Sequence, residues 1–386
     1  MMRILKFGGK SLSSTQKTQK ICKYIKKIYE KDKKIIIIVS AMGNTTNELI
    51  EKSAIFKPEK FAKRELDVLL STGETVAASL MAMALQKYSV PAKSFQSWQI
   101  KINTHGDHQN SLITSIDKSK LDMCLESNTV AVITGFQGIN KNDDITTLGR
   151  GGSDTTACAL GAIYNTNVEL YSDFNGVFSC DPRECESKKI NQVSLNQLER
   201  VSNSGSKLVT PRAVKLAKKN NFNLILKSSS KPTLKGSIAS LVESENIIIC
   251  TNPNLCEIII DFSNESKNKL LSKNVLIWLK LYKIYNLTLE KYKIKLLVNN
   301  SDKTEILNIL TKKLNIWIFW IFFLTLQKLI SGGDFMEKYR PGEIVPKSGD
   351  YRAYDQDGQD GGKLYLEKGK RFPATQHEGS YYVAEK

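Results

Sequence analysis

TTLGRGGSD, residues 146–154, packs three glycines, an arginine, an acid and several hydroxyls ahead of an apolar helical pattern of Ala157, Leu160, Ala162 and Ile163. A glycine-rich turn feeding a helix N-terminus aims backbone N–H groups and the positive end of the helix dipole at one spot. That spot suits an anion, most often a phosphate. Arg150 adds a planar fork that fits a carboxylate or a phosphate. Asp154 falls at the expected start of the helix, where a carboxylate caps free N–H groups. Two readings fit the stretch: a phosphate loop, and a tight structural turn with a capping aspartate. It follows neither GxxxxGK[ST] nor GxGxxG, so the two common nucleotide fingerprints do not apply.

Working outward, KFGGKSL at 6–12 is a second glycine turn, after a short apolar strand with Ile4 and Leu5. A helix over about 15–30 follows, with Ile21, Tyr24, Ile25 and Ile28 at helical spacing. IIIIVSAMGNTT at 35–46 is a buried strand opening into a hydroxyl-rich loop. Its unbroken apolar run is that of a parallel strand covered on both faces. Helical patterns follow over about 45–55 and 59–70, and STGET at 71–75 places an acid on a turn from which a helix runs to 87. A short strand with Pro91, a strand at 129–134, a helix at about 154–164 and a strand at 168–172 come next. YSDFNGVFSCDPR at 171–183 carries an Asp-Pro-Arg turn, and helices at about 194–202 and 211–220 precede a strand at 223–227. The alternation predicts a layered αβα domain around a mainly parallel sheet, with ligand loops at the strand carboxyl ends.

Taken together and in order, KFGGKSL, IIIIVSAMGNTT, STGET, TTLGRGGSDTTA, YSDFNGVFSCDPR and GSKLVTPRA (205–213) resemble the aspartate kinase branch of the amino-acid kinase family, over roughly residues 2–240. The resemblance implies transfer of the γ-phosphoryl group of ATP to the side-chain carboxylate of L-aspartate, the first step toward lysine, threonine and methionine. A carboxylate is already a nucleophile, so the enzyme's task is positioning and the neutralising of charge on the transferring group. The resemblance implies Lys6 at that group, Gly8 and Gly9 presenting N–H groups to the phosphates, and a Ser11 hydroxyl beside them. On the aspartate side it implies Ser40, Thr46, Glu74, Arg150 and Asp154. Arg150 would clamp a carboxylate, Glu74 would pair with the ammonium, and Asp154 would hold Arg150 or the ammonium in place. Lys6, Arg150 and Asp154 make up the implied catalytic set. Ser172 and Asp173 match positions near ribose and base, Phe178 stands where tyrosine is common, and Arg183 and Lys207 match further nucleotide contacts. The plain structural alternatives are a solvated strand-end Lys6, capping acids at Glu74 and Asp154, an N-cap at Thr46 and a surface Arg183. Magnesium would ride on the ATP phosphates with few protein ligands. Lys10 stands where the family usually has threonine and adds a charge beside the phosphates.

The 386 residues have room for two or three domains, and an apolar fraction of 41% is ordinary for a globular chain. A net charge of +17 on its face suggests a polyanion partner. The lysines are spread thinly, however, and rise together with isoleucine and asparagine, as AT-rich codons produce. Basic blocks interleaved with aromatics are missing, so neither nucleic acid nor membrane is an expected partner. The seven cysteines are odd in number and irregularly spaced, without a CxxC pair. They read as reduced thiols of a cytoplasmic protein, with Cys180 and Cys185 as bystanders to the Asp-Pro-Arg turn. Three scattered histidines make no metal site. The chain opens on a strand and glycine turn rather than a signal peptide.

The expected division is a catalytic domain over 1–242, a partial ACT-like regulatory region over 243–314, a hydrophobic junction over 315–335 and a small β-rich tail over 336–386. In the regulatory region, 247–250, 257–261 and 292–299 read as strands and 301–313 as a helix, while 267–287 is lysine-laced text without clear caps. Aspartate kinases usually carry two such sensing modules and often pair through them into homodimers; here there is room for about one and a half. IWIFWIFFLTL at 316–326 is only 11 residues, too short to span a bilayer. The text GGDFM at 332–336 is what GGAGGTGATTTTATG encodes, a ribosome-binding site with its start codon. From Met336 the text PGEIVPKSGDY resembles a separate family of short bacterial proteins opening on PGxxxPxSGxY. The expectation is a frameshift that fuses a kinase gene to the next small gene. The competing functional reading is an inactive or altered-substrate paralog.

Overall fold

All five residues of Ile35–Val39 are buried, as a parallel strand covered by helices on both faces requires. In the computed structural model it lies within an eight-stranded sheet ordered Gln192–Ser194, Ser237–Ser240, Leu224–Ser228, Val168–Ser172, Arg3–Phe7, Ile35–Val39, Val130–Thr134 and Ala92–Phe95. From Leu224–Ser228 to Ala92–Phe95 the strands run parallel. Ser237–Ser240 reverses direction against Leu224–Ser228. Side chains alternate across the pleat. Ile4, Ile36 and Ile38 pack with Ala157 and Leu160 of the helix Gly152–Ile163. Leu5, Ile35, Ile37 and Val39 pack with Ile21 and Ile25 of Thr15–Tyr29 and with Ala77, Met81 and Leu85 of Lys63–Lys87. The layered αβα arrangement expected from the sequence is present.

The structure describes residues 1–57, 62–204, 206, 208–244, 246–252, 257–262, 274–275, 278–279, 284–290, 293–298, 302–314, 338–355, 359–374 and 380–384. They fall into two compact units, 1–313 and 314–386.

STGET does not form a turn. Residues 63–87 are one continuous helix in which Ser71, Gly73 and Glu74 are buried. Gly73 marks a close approach rather than a bend: a Cβ there would lie 2.8 Å from the Ala41 Cβ. Among the described residues this is the one helix long and apolar enough to cross a membrane. Here its apolar stripe packs on the sheet, and it carries the buried acids Asp67 and Glu74. A second sheet, ordered Leu112–Ile116, Ile102–His105, Gln137–Ile139 and Ile145–Thr147, delivers the chain to the glycine-rich turn.

Ile247–Asn252, Glu257–Phe262, Lys293–Val298 and Ile284–Glu290 form an antiparallel sheet in that order. The strand Ile284–Glu290 begins inside the lysine-laced text that lacks sequence signals. The helix over 303–314 buries Ile306, Leu307 and Leu310. The Ile249 N–H donates to the Ser179 carbonyl at 2.8 Å. Arg200 donates to both carboxylate oxygens of fully buried Asp261 at 3.2 Å each, and to the Phe262 carbonyl at 2.9 Å. Arg200→Ala would remove the main partner of that carboxylate, leaving it Gln197 and the charge of Lys293. We expect a loss of about 3 kcal/mol in urea unfolding, the usual size for breaking one side of a buried pair.

The second unit has its own antiparallel sheet, ordered Lys338–Tyr339, Tyr381–Ala384, Gly349–Tyr354 and Asp360–Leu366. Val345, Tyr351, Phe372 and Tyr382 make its core. Phe372 stacks on Tyr339 and on Tyr382 with centroids 5.0 Å apart in each case. The apolar run at 316–326 and the text at 331–336 lie outside the described residues.

Candidate active site

Lys6 sits near the carboxyl end of Arg3–Phe7, between Ile38 and Leu170 in register. Its Nζ lies 2.6 Å from Asp154 Oδ1, with both side chains 13% exposed. Lys6 is therefore not a solvated strand-end lysine. Nor does Asp154 cap the helix or hold Arg150. Gly151, with φ +69°, occupies the N-cap position, and Asp154 is the third residue of Gly152–Ile163. In that first turn it faces a largely shielded ammonium, for which a counter-charge offsets lost hydration.

The first glycine turn is pressed against the loop after Ile35–Val39. A Cβ on Gly9 would lie 2.3 Å from the Ala41 carbonyl oxygen, so only glycine fits. The Gly43 N–H donates to the Gly9 carbonyl at 2.9 Å. The Gly8 N–H, expected to face a phosphate, instead reaches the Tyr171 carbonyl at 3.4 Å. The Ser11 hydroxyl is buried with no partner. An orphan hydroxyl beside a glycine turn and a lysine is what a phosphate oxygen would satisfy.

On the other side of Ala41, the Glu74 Oε1 accepts the Ala41 N–H at 2.9 Å. Its Oε2 is buried without a partner. Burial pushes the carboxyl up to about 7, against the opposing pull of the Ala41 N–H and of Lys6. Glu74 lies mid-helix and caps nothing. The Ser40 hydroxyl donates to the Ser153 hydroxyl at 2.9 Å, joining the two loops. Thr46 is the second residue of Thr45–Ser53 and half-buried; the N-cap position belongs to Asn44. Arg150 stands exposed on the turn before Gly152–Ile163. The structure thus brings Lys6, Gly8, Gly9, Ser40, Glu74 and Asp154 together, with Arg150 and Thr46 on the rim.

Of the predicted nucleotide residues, Ser172 and Phe178 end the strands Val168–Ser172 and Val177–Phe178, and Asp173 and Arg183 follow them. The Ser172 hydroxyl bonds the Phe174 backbone at 3.3 Å. The Phe174 and Phe178 rings meet edge-on at 6.4 Å. Arg183 lies over the Phe174 ring at 5.1 Å and donates to Asp181, whose carboxyl it holds below the usual range. Lys207 lies outside the described residues. Lys10 Nζ sits 3.8 Å from Asp173 Oδ2 on the exposed rim. Lys10→Thr should raise the KM for ATP roughly threefold, the scale of an exposed charge pair, and leave the KM for the acceptor unchanged. Initial rates with each substrate varied check this.

Sequence reasoning missed Ser153, the Lys10–Asp173 pair and a polar cluster beneath the site. In that cluster Glu169 accepts from the Tyr171 hydroxyl at 2.8 Å and Lys227 at 3.4 Å. Its one sequence signal is an acid inside the strand Val168–Ser172. Among the described residues no group of three or more His, Cys, Asp or Glu could hold a metal.

The model of the amino acid kinase family matches residues 1–228. An aspartokinase of Rickettsia felis is 39% identical over 266 residues, which are 66% of this chain and 66% of that protein. Aspartokinase 2 of Bacillus subtilis is 38% identical over 245 residues, 63% of this chain and 59% of that protein. The matched region thus spans 59–66% of these relatives' length, less than two thirds. E. coli aspartokinase III, solved with aspartate and ADP, superposes with a TM-score of 0.67 at 16% identity, covering 80% of this chain and 99% of that one. That likeness is one of fold. With a family match over more than half its length, around the cluster of Lys6, Gly9 and Asp154, the chain belongs to the amino acid kinase family.

Proposed function

We propose that the chain is an aspartate kinase, transferring the γ-phosphoryl group of ATP to the side-chain carboxylate of L-aspartate to give 4-phospho-L-aspartate. One juxtaposition carries this reading. The Lys6–Asp154 pair lies beside a glycine turn, and an unpartnered buried carboxylate oxygen of Glu74 lies across Ala41 from it. The first group suits a transferring phosphoryl, and the second suits a substrate ammonium. The names of the relatives and the aspartate and ADP of the E. coli structure support it. Magnesium would travel on the ATP phosphates. In this reading Ser172, Asp173, Phe178, Arg183 and Lys207 face the nucleotide, and Ser40, Thr46 and Arg150 face aspartate. Residues 243–314 are a partial sensing region, and 336–386 a small protein fused by frameshift, in a cytoplasmic and homodimeric enzyme.

The test is hydroxamate formation from magnesium-ATP, hydroxylamine and a panel of acids. The expected product is aspartyl hydroxamate, with little from L-glutamate or acetate. A folded chain that binds ATP but makes no hydroxamate would point to an inactive paralog.

A further inference from the structure

Thr210 occupies the N-cap position of the helix Pro211–Lys219, with the extended backbone of a capping residue, φ −73° and ψ 143°. Ser194, at the N-cap of Leu195–Asn203, has nearly the same backbone, φ −73° and ψ 144°, and its hydroxyl accepts the Gln197 N–H at 3.1 Å. The Thr210 hydroxyl makes no such bond. It is buried and has no partner anywhere in the protein. A threonine at an N-cap normally turns its oxygen to the free N–H groups of the first turn, and a buried hydroxyl normally finds a partner. Thr210 forgoes both.

Its side chain lies instead against the glycine-rich turn. A Cβ on Gly151 would lie 1.7 Å from Thr210 Cγ2 and 3.4 Å from Thr210 Oγ1. Gly151 is the N-cap of Gly152–Ile163, three residues before Asp154, the partner of Lys6. Three residues are less than one helical turn, so Thr210 meets the same helix end that carries the ion pair. The placement is firm. Arg212, two residues on, donates to the Leu148 carbonyl at 2.9 Å and to Asn110 Oδ1 at 2.6 Å, which bolts the start of its helix to the turn. Ser11 and Glu74 each leave one buried oxygen unpartnered at the site, and Thr210 adds another beside Gly151.

We infer that the Thr210 hydroxyl is a substrate contact, donating to an oxyanion oxygen seated at the Gly149–Gly151 turn. That oxygen belongs to a carboxylate of the acceptor or to a phosphate of ATP. The inference rests on the aspartate kinase reading, in which both substrates bring such oxygens. A buried hydroxyl without a protein partner costs stability, and a ligand oxygen that accepts from it recovers that cost on binding. A hydroxyl also suits a crowded anion site, because it donates in one direction and adds no charge to the Lys6–Asp154 pair.

The experiment is steady-state kinetics of Thr210→Val and Thr210→Ser with L-aspartate and ATP each varied, calorimetric titration of L-aspartate and of ADP, and urea unfolding. Thr210→Val keeps the shape against Gly151 and deletes the hydroxyl; Thr210→Ser keeps the hydroxyl and drops the methyl. The expected result for Thr210→Val is a roughly tenfold rise in the KM for one substrate, an unchanged KM for the other, and unfolding at the wild-type urea concentration. Thr210→Ser should stay near wild type in both KM values. A shift confined to L-aspartate assigns the oxygen to a carboxylate, and one confined to ATP and ADP assigns it to a phosphate. If Thr210→Val fails to fold, Thr210→Ala read against Thr210→Ser isolates the hydroxyl. A folded Thr210→Val with wild-type kinetics would overturn the inference. So would a destabilised variant with equal losses on both substrates, which would mark a packing role. A wild-type chain without aspartate-dependent turnover sinks the functional reading, and this inference with it. An active wild type with unresponsive variants sinks this inference alone.

Discussion

Lys6→Ala is expected to lower kcat for phosphoryl transfer roughly a thousandfold, the upper range for deleting one electrostatic contact to a developing charge. The effect has two sources. The ammonium that would neutralise the transferring group is gone, and its partner is not. Asp154 Oδ1, 2.6 Å from Lys6 Nζ in the intact chain, would be left as a poorly solvated carboxylate facing an incoming polyphosphate. Lys6→Ala combined with Asp154→Asn removes the second penalty but not the first. The double variant should regain stability in urea while kcat stays low. Lys6→Arg keeps the charge but not the compact ammonium, and should fall between. Single-turnover rates at saturating ATP provide the measurement. A Lys6→Ala rate within tenfold of wild type would remove Lys6 from the chemistry.

The parts of the site that were legible in the sequence are those where the backbone itself is constrained. Gly9 and the three glycines of TTLGRGGSD report close approaches, and a residue type excluded by contact leaves a mark in text. The buried strand Ile35–Val39 was legible for the same kind of reason, since only a strand covered on both faces is apolar at every position. What the sequence hid are partnerships. Asp154 at a helix start reads as a cap, and only the packing of Gly152–Ile163 against the strand Arg3–Phe7 reveals its ion pair with Lys6. STGET reads as a turn because glycine breaks helices more often than it lets two elements touch. The contact with Ala41 that makes Gly73 helical is some thirty residues away in the chain. Asp67 escaped notice because all its partners come from segments 41 to 80 residues distant. The short strands of the second sheet were equally silent, at three to five residues each.

If Glu74 docks the substrate ammonium as proposed, aspartate use should depend on pH. With its carboxyl held up at about 7 by burial, a large fraction is neutral just where the proposed reading docks the substrate ammonium. The wild-type KM for L-aspartate should therefore climb as pH falls below about 7, approaching tenfold per unit, while the KM for ATP stays flat. Glu74→Gln removes the charge at every pH, so its aspartate KM should be high and independent of pH. Stability moves the other way. An acid whose folded value exceeds its ordinary 4.5 stabilises the fold most below that value, and loses the contribution as pH rises through about 7. Between those limits the ligand-free wild type should lose roughly 3 kcal/mol that Glu74→Gln does not lose. At pH 8 the variant should then be the more stable chain and the poorer enzyme. Saturating L-aspartate, by pairing its ammonium with the free oxygen, should restore the wild type alone. Urea unfolding at pH 5 and pH 8, with and without L-aspartate, separates this from a simple packing role. A wild type with no pH slope relative to Glu74→Gln, or one that aspartate fails to stabilise, would mean that the orphan oxygen of Glu74 is not where the substrate ammonium docks.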